Sequence, residues 1–245
     1  MSSSTWTPRA VSSEADHWRG IVWRAVEAQY TAATMKLVDS ATEQDLLEAL
    51  LDGAKPEWPQ DTLRLDFLLA TPFRYPPRAG GSRFRAEADP GVFYGAGSVR
   101  TACAELGYWR WRFLRDAPEL ERLEPVAHTA FRSQIDTRAV DLRVPPFDRD
   151  RDAWGHPSDY RRCQDFAAQC RQTDLGAIVY ASVRDPEPGW CIALLRAGAF
   201  ARPRPLTGNQ TWWLAVNADE VVWRRRQQSL VVDMRRWQNQ AEGSR

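Results

Sequence analysis

The side-chain types best suited to chemistry lie between Gly80 and Glu105. A Gly-Gly pair at 80–81 precedes Arg83, and Tyr94 and Glu105 follow at steps of eleven residues. Glycine permits close approach of the backbone to a ligand, and a guanidinium binds phosphate oxygens through paired hydrogen bonds. The combination indicates a nucleotide or dinucleotide site, although a Gly-Gly turn beside arginine is also common in ordinary solvated loops.

Glu105 is the candidate for a functional carboxylate. It lies within Thr101–Tyr108 of a predicted helix, on a largely apolar stretch where a charge has few structural reasons to be. The alternative is a surface position or a contact one turn away, for example with Trp109.

A third candidate segment is Ile178–Pro186, in which a predicted strand ends in Ser182 and Arg184 before a turn. A serine at the end of a strand is usually a turn residue. Ser182 therefore becomes informative only together with the other two groups.

These side chains must be positioned by helices and strands, and the order of predicted helices and strands along the chain indicates one α+β domain. Residues 1–16 are predicted to form a flexible tail, and a Pro- and Asp-rich loop is predicted at 144–157. The stretch 72–97 is predicted to contain loops, turns and two short strands. Apolar periodicity predicts helices at 42–51, 98–116 and 158–172, and strands at 20–26, 126–133, 139–143, 176–182, 190–195, 211–216, 220–224 and 229–233.

Composition excludes several classes of protein. The chain has 245 residues, 43% of them hydrophobic, which is enough for a buried core and argues against disorder. A net charge of +1 argues against a dedicated nucleic-acid binder. No apolar run reaches the length of a membrane span or signal peptide, so a cytoplasmic protein without membrane contact is predicted. The four cysteines form no C-x-x-C motif and the three histidines are scattered, so no metal site is expected.

Taken together, the candidate residues resemble one known family. The order is an arginine, Gly-Gly-x-Arg, a tyrosine after an apolar residue, a helical glutamate and a late Tyr-x-Ser-Val-Arg, and it runs from about Trp23 to Val216. This order resembles the RES-domain family, which is named for its Arg, Glu and Ser. The family is best known as the toxins of RES and Xre toxin–antitoxin pairs.

The resemblance implies an ADP-ribosyltransferase-like fold with two small sheets around an NAD-binding cleft, and cleavage of the bond between nicotinamide and ribose. It assigns Glu105, Arg83 and Ser182 to catalysis. Arg24 and Arg83 would hold the pyrophosphate, Tyr94 would stack on nicotinamide, and Glu105 would hold the ribose and its developing charge. Ser182 would bind the nicotinamide end or the acceptor.

The first-strand arginine of the family has two candidates here. Arg24 fits by its strand context and is preferred, while Arg74 lies closer to the glycine turn. The chain also departs from the usual Gly-Gly-Arg-Trp-Asn, because Ser82 is inserted, Phe84 replaces Trp and Arg85 stands where Asn is common.

The predicted RES domain spans 17–235, with insertions at about 29–69 and 109–159 and a C-terminal tail at 236–245. NAD is the expected substrate, with phosphate, water or a protein side chain as acceptor. This leaves NAD phosphorylase, NAD glycohydrolase and protein ADP-ribosyltransferase open. An Xre-family antitoxin is the expected partner, no direct nucleic-acid contact is expected, and a homodimer is left open. The alternative function is a non-catalytic nucleotide-binding or interaction module on the same fold.

Overall fold

The computed structural model describes residues 6–28, 40–77, 79–235 and 237–238. Helices and strands mix along this part of the chain, so the α+β class is confirmed. The helices are α1 (Pro8–Ser13), α2 (Ala41–Gly53), α3 (Phe67–Arg74), α4 (Val99–Arg115), α5 (Arg151–Trp154) and α6 (Arg161–Arg171). The strands are β1 (Asp16–Glu27), β2 (Phe93–Ala96), β3 (Leu123–Asp141), β4 (Ala177–Ala181), β5 (Trp190–Leu194), β6 (Leu206–Val216), β7 (Glu220–Arg225) and β8 (Gln228–Asp233).

The strands form one sheet in the order β1-β2-β5-β4-β3-β6-β7-β8, and β1 also pairs with β3. The pair β3–β4 is parallel, and the other neighbours are antiparallel. The extra pairing closes β1, β2, β5, β4 and β3 on one another, while β6, β7 and β8 extend outward from β3.

The family resemblance implies two small sheets, and in the structure strand β3 connects the two parts into one sheet. The sequence predicts separate strands at 126–133 and 139–143, but the structure has a single strand of 19 residues. Its N-terminal half pairs with β6, its last residues pair with β4, and β1 runs antiparallel beside it along the whole of β1. The length of β3 lets it serve both parts of the sheet.

The N-terminal segment differs from its prediction as a flexible tail over 1–16. Thr7 caps α1 by accepting a hydrogen bond from Ala10, and Trp6 and Val11 are buried. The Trp6 ring lies 4.6 Å from that of Phe147, and its Nε1 donates to Asp150 at 2.9 Å. Two apolar side chains suffice to dock this short segment, which is why it shows no periodic pattern. Residues 1–5 lie outside the described residues.

The predicted C-terminal tail at 236–245 lies mostly outside the described residues. Trp237 is described, and it is fully buried. Its Nε1 donates to the carbonyl of Arg184 at 2.9 Å. Trp237 is therefore attached to the segment that follows β4.

The predicted insertions at about 29–69 and 109–159 stay a prediction. Residues 29–39 lie outside the described residues, and the second range contains β3, the strand that connects the two parts of the sheet. Two helices in this part of the chain were not expected. Helix α3 begins after Asp66, whose carboxylate accepts from the amide of Leu68 at 2.9 Å. Helix α5 is a single turn within the predicted loop at 144–157, and its Trp154 is buried.

The four cysteines are free and buried. Among the described residues there is no group of three or more His, Cys, Asp or Glu side chains that could hold a metal ion. In the same part of the chain, no helix combines the length and the apolar character that a membrane span requires.

Candidate functional site

A cavity of about 230 Å³ opens between β1, β2, α4 and the glycine turn. Four of the five predicted site residues line it: Arg24, Arg83, Tyr94 and Glu105. The remaining lining residues are Trp23, Ala25, Ser82, Gly95, Ala96, Ala102, Leu106, Trp109, Tyr160, Tyr180, Arg184 and Cys191. Loop, strand and helix thus bring the predicted residues to one site.

The Gly-Gly turn folds residues 82–85 into a tight loop. Gly80 and Gly81 have φ values of +80° and +72°, which a residue with a side chain rarely adopts. A Cβ on Gly81 would lie 2.1 Å from the carbonyl oxygen of Arg85, so only glycine fits there. The side-chain amide of Gln164 donates to the carbonyls of Gly80 and Ser82, both at 3.0 Å. The hydrogen bonds from Gln164 therefore fix the turn in a conformation that places Arg83 at the cavity.

Arg83 is 8% exposed and is positioned by backbone carbonyls. Its Nη1 donates to the carbonyls of Trp154 at 2.7 Å and His156 at 3.0 Å, and its guanidinium lies 4.8 Å from the ring centroid of Tyr160. Burial alone lowers the pKa of Arg83, but the electrostatic effects of neighbouring groups, Tyr160 first and Glu105 among them, leave it above the usual value. Arg83 is a fixed positive charge at neutral pH.

Tyr94 is fixed at both its hydroxyl and its carbonyl. The hydroxyl accepts from the amide of Phe84 at 3.0 Å and lies 2.8 Å from Oγ of Ser82. Ser82 is the residue inserted relative to the usual Gly-Gly-Arg-Trp-Asn, and its hydrogen bond to Tyr94 connects the glycine turn to β2. Burial raises the pKa of Tyr94, so the phenol stays neutral. The ring is a rigid wall of the cavity.

The structure separates the two candidates for the first-strand arginine. Arg24 lines the cavity and donates from Nη1 to the carbonyl of Tyr94 at 2.7 Å. Arg74 does not line it, and instead donates to the carbonyl of Pro56 and stacks on Trp58. Burial lowers the pKa of Arg24 to about 10, which leaves it charged at neutral pH. Its Nε is buried and has no hydrogen-bond partner among the described residues.

Glu105 projects from α4, which begins at the capping residue Ser98. Its Oε1 accepts a hydrogen bond from the hydroxyl of Ser182 at 2.6 Å and a weaker one from the thiol of Cys191 at 3.7 Å. Burial raises the pKa of Cys191 well above its usual value, so this residue is a thiol donor at neutral pH. Both contacts are made to one oxygen.

Ser182 is not among the residues that line the cavity, and its predicted contact with nicotinamide or the acceptor stays a prediction. It lies behind Glu105, and its Oγ also accepts from the amide of Asp185 at 3.1 Å. Its own amide donates to the carbonyl of Gly189 at 2.9 Å, which closes the loop between β4 and β5. The geometry makes Ser182 an orienting group for the carboxylate.

Asp185 anchors this loop to the first turn of α4. Its carboxylate is completely buried, accepts from the hydroxyl of Thr101 at 2.7 Å and pairs with Arg100. Because Thr101 and Arg100 lie just one turn before Glu105, the buried pair fixes Ser182 relative to the helix that carries the carboxylate. Sequence reasoning did not identify Asp185.

Arg184, Tyr160 and Tyr180 are further cavity residues that sequence reasoning did not assign. Arg184 is 2% exposed; its guanidinium lies 3.5 Å from the ring centroid of Tyr108 and donates to the carbonyl of Pro157. The late Tyr-x-Ser-Val-Arg segment contained the signal for Arg184 and Tyr180. Tyr160 had none, because it reaches the site from the loop before α6.

No curated protein matches this chain. Among solved structures, a chain of "Crystal structure of the M.tuberculosis MbcT-MbcA toxin-antitoxin complex" is similar to it, with 13% sequence identity, a TM-score of 0.48 and coverage of 96% of each chain.

The fold and site define an α+β protein with a glutamate and several arginines around one cavity. The sequence model of the RES domain matches residues 60–217, which is well over half of the chain. The chain therefore belongs to the RES-domain family, as the resemblance indicated. Arg83, Tyr94, Glu105 and Ser182 lie within the matched range, and Arg24 precedes it.

Proposed function

We propose that this protein cleaves the bond between nicotinamide and ribose in NAD. The observation that carries the proposal is the presence of one carboxylate, Glu105, in a cavity bordered by the guanidinium groups of Arg24, Arg83 and Arg184. The positively charged guanidinium groups attract an anionic ligand. A single carboxylate among them can stabilise a positive charge that develops on the ligand during the reaction. Membership of the RES family supports the same substrate.

The arginines would bind the pyrophosphate. Arg24 is charged, and its Nε lacks a hydrogen-bond partner in the described structure. Arg83 uses Nη1 for two backbone carbonyls, which orient the guanidinium. A guanidinium held in this way loses little further freedom when it binds a phosphate.

Glu105 would stabilise the transition state. As nicotinamide leaves with the electron pair of the glycosidic bond, positive charge accumulates on ribose C1. The hydrogen bonds from Ser182 and Cys191 go to Oε1, and among the described residues none goes to Oε2. We assign Oε2 to the ribose hydroxyls and the developing cation, and the ring of Tyr94 to the nicotinamide.

The acceptor determines the reaction. Phosphate would bond to C1 and give a phosphorylated ADP-ribose, water would lose a proton and give ADP-ribose, and a protein side chain would become ADP-ribosylated. The test incubates the purified chain with NAD, with and without phosphate, and follows nicotinamide and the second product. Nicotinamide release is the expected result. Absence of release under all conditions, with NAD bound, would favour the non-catalytic nucleotide-binding module.

We further propose that the activity makes the protein a cytoplasmic toxin restrained by an antitoxin of the Xre family, on the basis of family membership. A partner that covers the cavity would compete with NAD for Arg24 and Arg83. Induction of the wild-type chain in a naive host is expected to lower cellular NAD and arrest growth. Growth arrest with NAD unchanged would contradict this part of the proposal.

A further inference from the structure

A second cavity, of about 530 Å³, lies on the other side of Arg24. Arg24 lines both cavities, while the cavities near Pro8, Arg100 and Asp219 share no lining residue with the first. At about 230 Å³ the first cavity is smaller than the roughly 300–1,000 Å³ usual for small-molecule sites. A dinucleotide bound at Glu105 must therefore extend beyond it.

The second cavity combines flat apolar walls with positive charge. Phe67, Leu68, Pro72 and Tyr75 provide the apolar surface, and Phe67 is 54% exposed. An exposed aromatic ring beside a proline is a suitable surface for stacking a base.

Two arginines supply the charge of this cavity. Arg85 donates from Nε to the carbonyl of Asp89 at 3.1 Å and from Nη2 to the carbonyl of Tyr75 at 2.9 Å. Arg24 likewise bonds a carbonyl, that of Tyr94. Among the described residues no carboxylate pairs with either guanidinium, and the one carboxylate lining the cavity, Glu27, pairs with Arg110.

We infer that this second cavity is the subsite for the adenosine half of the dinucleotide, with the pyrophosphate at Arg24 between the two cavities. The inference rests on the proposed function for the identity of the ligand. Adenine would lie against the apolar wall of α3, and Arg85 would bind a phosphate oxygen. Thr71 and Asn209 line the same cavity and bring polar side chains to it from α3 and β6.

The test measures ADP binding by calorimetry, because ADP carries the adenosine and phosphates but has no nicotinamide–ribose bond. Thr71→Trp fills the cavity from α3, and Asn209→Trp fills it from β6. Leu63→Trp is the matched control, since Leu63 is 58% exposed and does not line the cavity. Circular dichroism establishes that each variant is folded.

The expected result is binding of ADP to the wild type and to Leu63→Trp with equal affinity, and at least tenfold weaker binding to both filled variants. The two filled variants should lose more activity on NAD than on nicotinamide mononucleotide, which lacks the adenosine, while Leu63→Trp should match the wild type on both. Absence of ADP binding to the wild type, or equal affinity in the filled variants, would overturn the subsite. ADP binding without cleavage of either nicotinamide substrate would instead reject the proposed function and leave the subsite standing.

Discussion

The hydroxyl of Ser182 donates a hydrogen bond to Oε1 of Glu105 over 2.6 Å, although 77 positions separate them in the sequence. The same hydroxyl accepts from the amide of Asp185. Ser182 thus fixes one oxygen of a carboxylate that lines the cavity, without being a lining residue itself. The arrangement separates the carboxylate that lines the cavity from the hydroxyl that orients it.

Removal of the Ser182 hydroxyl should therefore lower turnover without abolishing it. We expect Ser182→Ala to reduce kcat for NAD by about tenfold, on the scale of losing one charge-assisted hydrogen bond, with little change in KM. Ser182→Thr keeps a hydroxyl and should recover part of the loss. A loss in Ser182→Ala as large as that caused by removing the Glu105 charge would contradict an orienting role.

Asp185 should act through the same loop. Asp185→Asn removes a buried charge that Arg100 and Thr101 bind, so we expect a loss of about 3 kcal/mol in the free energy of unfolding. At a temperature where the variant is folded, kcat should fall while KM for NAD is kept, because the ligand does not touch Asp185.

The matched control for Asp185 is Glu187→Gln. Glu187 also pairs with Arg100, at 3.3 Å, but its side chain is 71% exposed. Exposed pairs contribute about 0–1 kcal/mol, so this variant should resemble the wild type in stability and turnover. A fall in kcat in Glu187→Gln equal to that in Asp185→Asn would assign the effect to Arg100 rather than to the buried carboxylate.

The two glycines of the turn should respond differently to alanine. Both have positive φ, but their surroundings differ. A Cβ added at Gly80 would have no neighbouring atom within 4 Å, whereas a Cβ added at Gly81 would lie 2.1 Å from the carbonyl oxygen of Arg85. We expect Gly80→Ala to cost about 1 kcal/mol of stability and Gly81→Ala about 3 kcal/mol. Denaturant titration measures both. Equal losses would show that the close approach at Gly81 does not constrain the turn.

Stability should depend on pH through His128. Burial lowers the pKa of this histidine below the usual 6.5, although the hydrogen bond to the Val126 carbonyl opposes the shift. The unfolded chain therefore binds the proton more readily, so the stabilisation is present above pH 6.5 and is lost as the pH falls through the folded-state pKa. The slope should approach about 1.4 kcal/mol per pH unit between the two pKa values. Denaturant titrations from pH 7.5 to 5 should show this slope in the wild type, and a flatter dependence in His128→Gln.

The sequence predicted elements whose pattern is local. Helix α4 has a capping serine and a regular apolar face, and β4, β5, β7 and β8 are short apolar runs between turns, so these elements were expected close to their observed bounds. Strand β6 begins at Leu206, five residues before its predicted start. Helix α1 was missed because its stability comes from the burial of Trp6 and Val11 by distant residues. The continuity of β3 was missed because pairing with β1, rather than local propensity, holds it together.

The site was predictable to the extent that residue type implied chemistry. Arg83, Tyr94 and Glu105 were selected by type and order, and they line one cavity. Asp185 contacts Thr101, which lies 84 positions earlier in the sequence. Tyr160 contacts Arg83, which lies 77 positions earlier. No local sequence pattern encodes contacts over such separations. The resemblance placed Ser182 at the nicotinamide end or the acceptor, whereas its contact with Glu105 depends on the loop between β4 and β5.

The decisive experiment for the role of Glu105 compares release of nicotinamide from NAD by the wild type and by Glu105→Gln. The amide keeps the size of the side chain and can still accept from Ser182, but it removes the negative charge that stabilises the developing cation. We expect nicotinamide release by the wild type, a kcat at least about a hundredfold lower in Glu105→Gln, and similar NAD affinity in both proteins by calorimetry. Equal rates of nicotinamide release by the two proteins would contradict it.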